Sequence, residues 1–199
     1  TSGVGLFLHK GDGFALSGGL VIPDPREPLA ILSMSQGAGY GPRAHAAGGV
    51  GIARIEGSRG ELVGSYMGQG MGYWRAFGAL MLHGDENRVQ GRRYVKGAGV
   101  HRGDGAFRLR GSKNRVVSWG AGPAIGWDYG VGVLDADGGG NSFSSEWASC
   151  RGDVNGHGLA LVRGGGNTLA LGQLGTGAFK RGAPERFAAL AIALVARCS

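Results

Sequence analysis

Ala106-Phe107-Arg108-Leu109-Arg110-Gly111-Ser112-Lys113-Asn114-Arg115-Val116 decides the fold, because the chain writes this stretch several times over. One unit upstream stands Ala79-Leu80-Met81-Leu82-His83-Gly84-Asp85-Glu86-Asn87-Arg88-Val89. Downstream come Val133-Leu134-Asp135-Ala136-Asp137-Gly138-Gly139-Gly140-Asn141-Ser142-Phe143 and Leu159-Ala160-Leu161-Val162-Arg163-Gly164-Gly165-Gly166-Asn167-Thr168-Leu169. Asn87, Asn114, Asn141 and Asn167 are spaced 27, 27 and 26 residues apart. A fixed period of this length marks a repeat architecture, in which each unit buries its apolar face only against its neighbours.

Each unit opens on a short glycine signal: Gly3-Val4-Gly5, Gly49-Val50-Gly51, Ala76-Phe77-Gly78, Gly103-Asp104-Gly105, Gly130-Val131-Gly132 and Gly156-His157-Gly158. These start at 3, 49, 76, 103, 130 and 156, so the first interval of 46 is one period plus an insertion of 19. A run with period-2 alternation follows, the mark of a strand with one buried face. Its inward slots hold Ala53/Ile55, Leu80/Leu82, Phe107/Leu109, Leu134/Ala136 and Ala160/Val162. The slots between them hold Arg54/Glu56, Met81/His83, Arg108/Arg110, Asp135/Asp137 and Leu161/Arg163, most of which must face water. A glycine then breaks the strand at Gly57, Gly84, Gly111, Gly138 and Gly164.

Three residues later comes the slot of Asn87, Asn114, Asn141 and Asn167, filled by Gly60 in the second unit. A slot restricted to Asn and Gly reads most simply as a turn position at positive φ. Stacked Asn side chains bonding along the column are a second reading. Two residues on, the slot is always apolar: Leu62, Val89, Val116, Phe143, Leu169. The whole pattern predicts an all-β, right-handed parallel β-helix of about six coils with a period near 27 residues. An antiparallel barrel or sandwich is the competing architecture, though its hairpins would recur every 8–12 residues without long-range phase.

At 199 residues the chain is one domain's worth, 1–199, with 44 glycines and an ordinary apolar fraction of 42%. It starts in mid-pattern at Thr1, so a removed leader or a preceding segment is expected. Residues 17–36 leave the repeat as an insertion, and Pro23-Asp24-Pro25-Arg26-Glu27-Pro28 predicts a rigid extended loop. Residues 183–197 are rich in Ala and Leu after Pro184 and predict a C-terminal helix that caps the last coil. No apolar run is long enough for a transmembrane helix. Cys150 and Cys198 fit either one bridge or two thiols; the compartment stays open, with an extracytoplasmic one favoured.

The net charge of +7 is concentrated between Arg88 and Arg115. Arg88, Arg92, Arg93, Arg108, Arg110 and Arg115 are the candidate binding residues, a basic face for an acidic partner protein or a polyanion such as acidic polysaccharide. No nucleic-acid motif accompanies them. Tyr66, Tyr73, Trp74, Tyr94, Trp119, Trp127, Tyr129 and Trp147 crowd the corners, either as core or as platforms for sugar rings. No metal-ligand spacing and no cofactor motif is present, so no metal and no cofactor is expected.

The Ser35-Gln36-Gly37-Ala38-Gly39, Gln69-Gly70-Met71-Gly72, Gly84-Asp85-Glu86-Asn87 and Gly49-Val50-Gly51 units resemble those of bacterial Gly-rich parallel β-helix repeat proteins. Ile55-Glu56-Gly57-Ser58-Arg59-Gly60-Glu61-Leu62-Val63-Gly64 is similar to the β-helix scaffold domain of glutamate synthase and formylmethanofuran dehydrogenase subunits. The second family's domain is a scaffold without catalytic residues; both resemblances imply a scaffold, and neither supplies an active site. Asp153 and Gly156-His157-Gly158, with Asp135 and Asp137, superficially resemble the motif of β-helix polysaccharide hydrolases. His157, however, fills an ordinary repeat slot, and that family's downstream Arg-x-Lys is missing. The reading is therefore a non-catalytic scaffold or binding module, part of a larger assembly. The alternative is a carbohydrate-active enzyme on the same fold. The exposed first coil, Gly3-Val4-Gly5-Leu6-Phe7-Leu8, is expected to meet another subunit or another copy.

Overall fold

The computed structural model describes residues 3–18, 23–24, 27–43, 48–178 and 190–196. It is a parallel β-solenoid, all-β among the described residues, with three stacked sheets. The long sheet has seven strands of seven residues each: Val4–Lys10, Val50–Glu56, Phe77–His83, Asp104–Arg110, Val131–Asp137, His157–Arg163 and Leu190–Ala196. The middle sheet has six, including Glu61–Val63, Arg88–Gly91 and Arg115–Ser118. The short sheet stacks six two-residue strands, including Gly72–Tyr73, Gly99–Val100 and Gly126–Trp127. Every pairing within these three sheets is parallel, which excludes the antiparallel barrel or sandwich.

The register is the repeat made physical. Ala53 pairs with Leu80, Leu80 with Phe107, Phe107 with Leu134 and Leu134 with Ala160, so the inward slots stack in one column. All of the inward residues from Ala53 to Val162 are buried, together with Leu62, Val89, Val116 and Phe143 of the middle sheet. Burial of each large apolar side chain contributes about 1.5–3 kcal/mol, and here they touch across the coil and along it. A second cluster of Tyr66, Met67, Met71, Tyr94 and Ile125 fills the corner between the middle and short sheets.

The glycine content has a specific cause. Gly51, Gly78, Gly105 and Gly132 stack at the second position of the long strands. A Cβ on Gly78 or Gly105 would overlap the carbonyl of Met71 or Ala98 on the facing side. A Cβ on Gly72 or Gly99 would overlap the carbonyl of Asp104 or Val131 in return. Two glycine columns thus let backbone meet backbone, closing one side of the coil and moving the apolar core to the other.

The C-terminal reading needs correction. Leu190–Ala196 is not helix but the seventh strand of the long sheet, parallel to His157–Arg163. Helix propensity is a weak prior, and the unpaired backbone of the last strand offered this segment a ladder of hydrogen bonds. Its Leu-Ala-Ile-Ala-Leu alternation also fits the register, aligning Ala191 with Gly158 and Ala193 with Ala160. The rest of the expected cap, 183–189 and 197, lies outside the described residues, as does Cys198. Cys150 is buried in the main core. Ala15–Ser17, which runs into the 17–36 insertion, belongs to the middle sheet, and within the insertion Pro23–Asp24 pairs antiparallel with Glu27–Ile31. The described parts of the Pro-rich segment are thus paired strands, and residues 25 and 26 lie outside the described residues.

Candidate binding surfaces

The six arginines do not form one stripe. Arg88 and Arg115 are register partners on the outer face of the middle sheet, both exposed. Glu61, one coil earlier, lies 3.8 Å from Arg88. Arg108 and Arg110 point outward from the long sheet, where Asp135 lies 3.7 Å from Arg108 and 2.5 Å from Arg110. Arg163 closes the network, at 2.7 Å from Asp135 and 3.3 Å from Asp137. Arg92 and Arg93 follow Gly91 at the corner beyond the middle sheet, and the Arg93 guanidinium lies over Tyr94 at 4.8 Å and Trp147 at 5.3 Å.

This geometry bears on acid/base chemistry. Partial burial pushes the Asp135 carboxyl up, but hydrogen bonds and charge from Arg110 and Arg163 outweigh it and hold the group below its ordinary value. Such a carboxylate is a poor proton donor at neutral pH. Asp153 is buried and paired with Arg151 at 2.7 Å, while His157 is exposed at the start of its long strand. The motif that resembled a hydrolase is spread over a corner and an outer face.

The turn column also differs from the simplest reading. The left-handed residues are Arg59, Glu86, Lys113, Gly140 and Gly166, with φ of 55°, 58°, 57°, 67° and 70°. Each stands one residue before the slot of Gly60, Asn87, Asn114, Asn141 and Asn167. The Asn side chains instead form a ladder. Gly60, Asn87, Asn114 and Asn141 each donate their backbone N–H to the Oδ1 of the next Asn along the column, at 2.8–2.9 Å. Asn87, Asn114 and Asn141 return their Nδ2 to the carbonyls of Gly57, Gly84 and Gly111.

A constellation that the sequence reading passed over lies at the corner between the short and long sheets. His101 Nδ1 is 2.5 Å from Asp128 Oδ2, and its Nε2 makes no hydrogen bond among the described residues. Trp74 packs edge-on to His101, with ring centroids 6.2 Å apart. Arg43 and Arg75 each hold a guanidinium 5.9 Å from the Trp74 ring, and Arg102 lies 5.4 Å from Tyr129. Four successive coils turn this corner on consecutive left-handed pairs: Trp74-Arg75, His101-Arg102, Asp128-Tyr129 and Val154-Asn155. The cost of that conformation is roughly 1–2 kcal/mol for each residue with a side chain. The signal was present in the sequence: 74, 101, 128 and 154 are spaced 27, 27 and 26, the repeat period itself.

The aromatic residues divide accordingly. Tyr66, Tyr73 and Tyr94 are core, Trp74 and Trp127 are half-buried, and Trp119, Tyr129 and Trp147 are exposed. Inside the coil, Lys96 is fully buried, and its Nζ has no hydrogen-bond partner. Buried Gln69 Oε1 and Ser118 Oγ are likewise unpartnered, and a Cβ on Gly91 would stand 2.7 Å from Gln69 Oε1 and 3.0 Å from Lys96 Nζ. Among the described residues no group of three or more His, Cys, Asp or Glu is placed to hold a metal ion. No helix among them is long and apolar enough to cross a membrane. Comparison with protein-family models, with curated proteins and with solved structures finds no match.

Proposed function

We propose that this chain is a non-catalytic scaffold or binding module that works within a larger assembly and docks another protein chain through its first coil. The observation that carries this reading is the open end of the solenoid. All three sheets terminate there, in Val4–Lys10, Ala15–Ser17 and Gly39–Tyr40. Val4, Leu6 and Leu8 are 70%, 74% and 61% exposed, and Phe7, although it stacks on the inward column at Ala53, is 46% exposed. A cavity of about 530 Å³ opens beside them, lined by Leu6, Phe7, Tyr40, Val50 and Ile52 among others. Unpaired strand edges beside exposed apolar side chains are where parallel stacks add another strand. A second copy of the chain is the simplest partner, because its edge has the same hydrogen-bonding repeat.

The exposed Arg88–Arg115 pair supports a second contact, with an acidic partner or polyanion. Catalysis on a polysaccharide through Asp135 and Asp137 is the weaker alternative, because both carboxylates are engaged by arginines.

Sedimentation velocity over a wide concentration range tests the first-coil contact. The chain is expected to associate, and Leu6→Glu with Leu8→Glu is expected to leave a folded monomer. A wild-type chain that stays monomeric at high concentration overturns the proposal.

A further inference from the structure

We propose that the corner between the short and long sheets binds an acidic oligosaccharide, with sugar rings on Trp74 and Tyr129 and the acidic groups on Arg75 and Arg102. The inference is independent of the first-coil contact and of the Arg88–Arg115 pair.

The backbone is the first argument. Left-handed φ is unfavourable for any residue with a Cβ and free of strain for glycine. Elsewhere a left-handed residue with a side chain stands alone, as at Arg59, Glu86 and Lys113, or is followed by glycine, as at Gln69-Gly70 and Lys96-Gly97. At this corner the chain keeps Trp74-Arg75 (φ 55° and 53°), His101-Arg102 (53° and 60°) and Asp128-Tyr129 (49° and 60°). These, with the pair that follows at 154–155, are the only consecutive left-handed pairs of non-glycine residues among the described ones. Two such residues in a row, kept in successive coils where glycine would relieve the strain, point to side chains that are used.

The side chains supply the second argument. Arg75 and Arg102 form no ion pair with any described residue; each lies over an aromatic ring at the rim of the corner. Trp74 and Tyr129 belong to coils two apart, roughly 10 Å at the ordinary spacing of strands, so one extended oligosaccharide reaches both. Between them the coil of His101 supplies polar groups. Asp128 fixes the imidazole through Nδ1 and leaves Nε2 unbonded. Aromatic faces take the apolar side of a sugar ring, guanidinium groups take carboxylate or sulfate, and His101 and Asp128 take hydroxyls. Single-stranded nucleic acid also favours aromatic and arginine surfaces. It lacks hydroxyls in that density for His101 and Asp128, so the oligosaccharide fits better.

Isothermal titration of the whole chain provides the test, with an oligogalacturonate hexamer and a sulfated glycosaminoglycan hexasaccharide as probes. Maltohexaose and an oligothymidylate serve as the neutral and nucleic-acid comparators. At least one acidic hexasaccharide is expected to bind roughly tenfold more tightly than either comparator. Arg75→Gly with Arg102→Gly is expected to weaken that binding by about tenfold or more. The same variant should melt no lower than the parent, because glycine relieves the left-handed strain. Trp74→Gly should weaken binding likewise, at some cost in stability because its ring packs on the second core cluster, whereas Arg88→Ala with Arg115→Ala should change affinity by no more than about twofold. Preference for the oligothymidylate, absence of binding by both acidic probes, or a loss confined to the Arg88/Arg115 variant overturns the proposal. None of these results touches the first-coil reading, which is read by sedimentation.

Discussion

Phe14 lies over Gly60: a Cβ on Gly60 would stand 2.2 Å from the Phe14 ring. The two residues precede the paired Ala15 and Glu61, so they occupy the same slot of successive coils, the slot that Asn87, Asn114, Asn141 and Asn167 fill further along. The ladder of Asn side chains therefore ends on Gly60, whose N–H donates to Asn87 Oδ1 at 2.8 Å, and an aromatic plug covers that end. Gly60 is glycine for want of space rather than for a special φ.

Gly60→Asn should accordingly destabilise the fold although it restores the residue of the other coils. Overpacking against a ring costs about 1–3 kcal/mol. Phe14→Ala should cost up to about 3–5 kcal/mol, the range for deleting a buried aromatic side chain. The double variant should be more stable than the sum of the two single losses predicts, since the truncated ring leaves room for Asn. Urea unfolding of the four proteins measures the coupling. Simple additivity would mean that Phe14 and Gly60 do not share this space.

The Asn ladder separates two neighbouring positions. Asn114 is buried, accepts from the N–H of Asn87, and donates Nδ2 to Gly84 O and Asn141 Oδ1. Asn114→Gly removes all three side-chain bonds and should cost about 2–4 kcal/mol at roughly 1 kcal/mol each. Lys113→Gly, at φ 57°, should be neutral or stabilising, because the strain sits there. Equal losses at both positions would contradict the ladder and return the turn to a purely conformational account.

The glycine columns make a similar contrast within one column. A Cβ on Gly105 would overlap the Ala98 carbonyl, backbone that cannot turn aside, whereas Gly5 has nothing within 4 Å of that position. Gly105→Ala should cost about 3 kcal/mol, the upper end of the range for overpacking. Gly5→Ala should change stability by no more than about 0.5 kcal/mol. A large loss at Gly5 in the isolated chain would indicate that its first coil is already covered.

Periodicity made most of this fold legible. The inward residues, the parallel coil and the Arg88–Arg115 stacking all follow from one spacing, because in a solenoid the sequence period is the distance between contacts. What failed to show depended on which groups come into contact rather than on the count itself. Leu190–Ala196 has the composition of a helix, and only the unpaired edge of His157–Arg163 makes it a strand. The Asn slot and the left-handed residue before it are adjacent, so a residue count could not tell which carried the turn. The Asp135 and Asp137 carboxylates looked available for chemistry until Arg163, 28 and 26 residues away, came to rest on them. His101 and Asp128 escaped notice because they belong to different residue types, although their separation of 27 is the repeat itself.

Lys96 gives the last prediction, and its sign follows from burial. The side chain is enclosed, its Nζ has no hydrogen-bond partner, and desolvation holds its pKa well below the ordinary lysine value. In the unfolded chain the same amine keeps its proton up to about pH 10.4. Between the lowered pKa and that value the unfolded chain binds one more proton than the fold, so Lys96 makes stability rise with pH. Below the lowered pKa both states are protonated and the penalty is constant; towards about pH 10.4 it fades. Lys96→Met keeps the apolar stem and removes the amine, and should stabilise the protein at neutral pH by about 1–3 kcal/mol, the usual cost of an unsatisfied buried polar group. Chemical denaturation of both proteins from pH 7 to 10 reads the difference, which should shrink as pH rises. A loss of stability on substitution would mean that the Lys96 amine is bonded inside the coil after all. A gap that does not change with pH would mean that the amine keeps its proton in the fold.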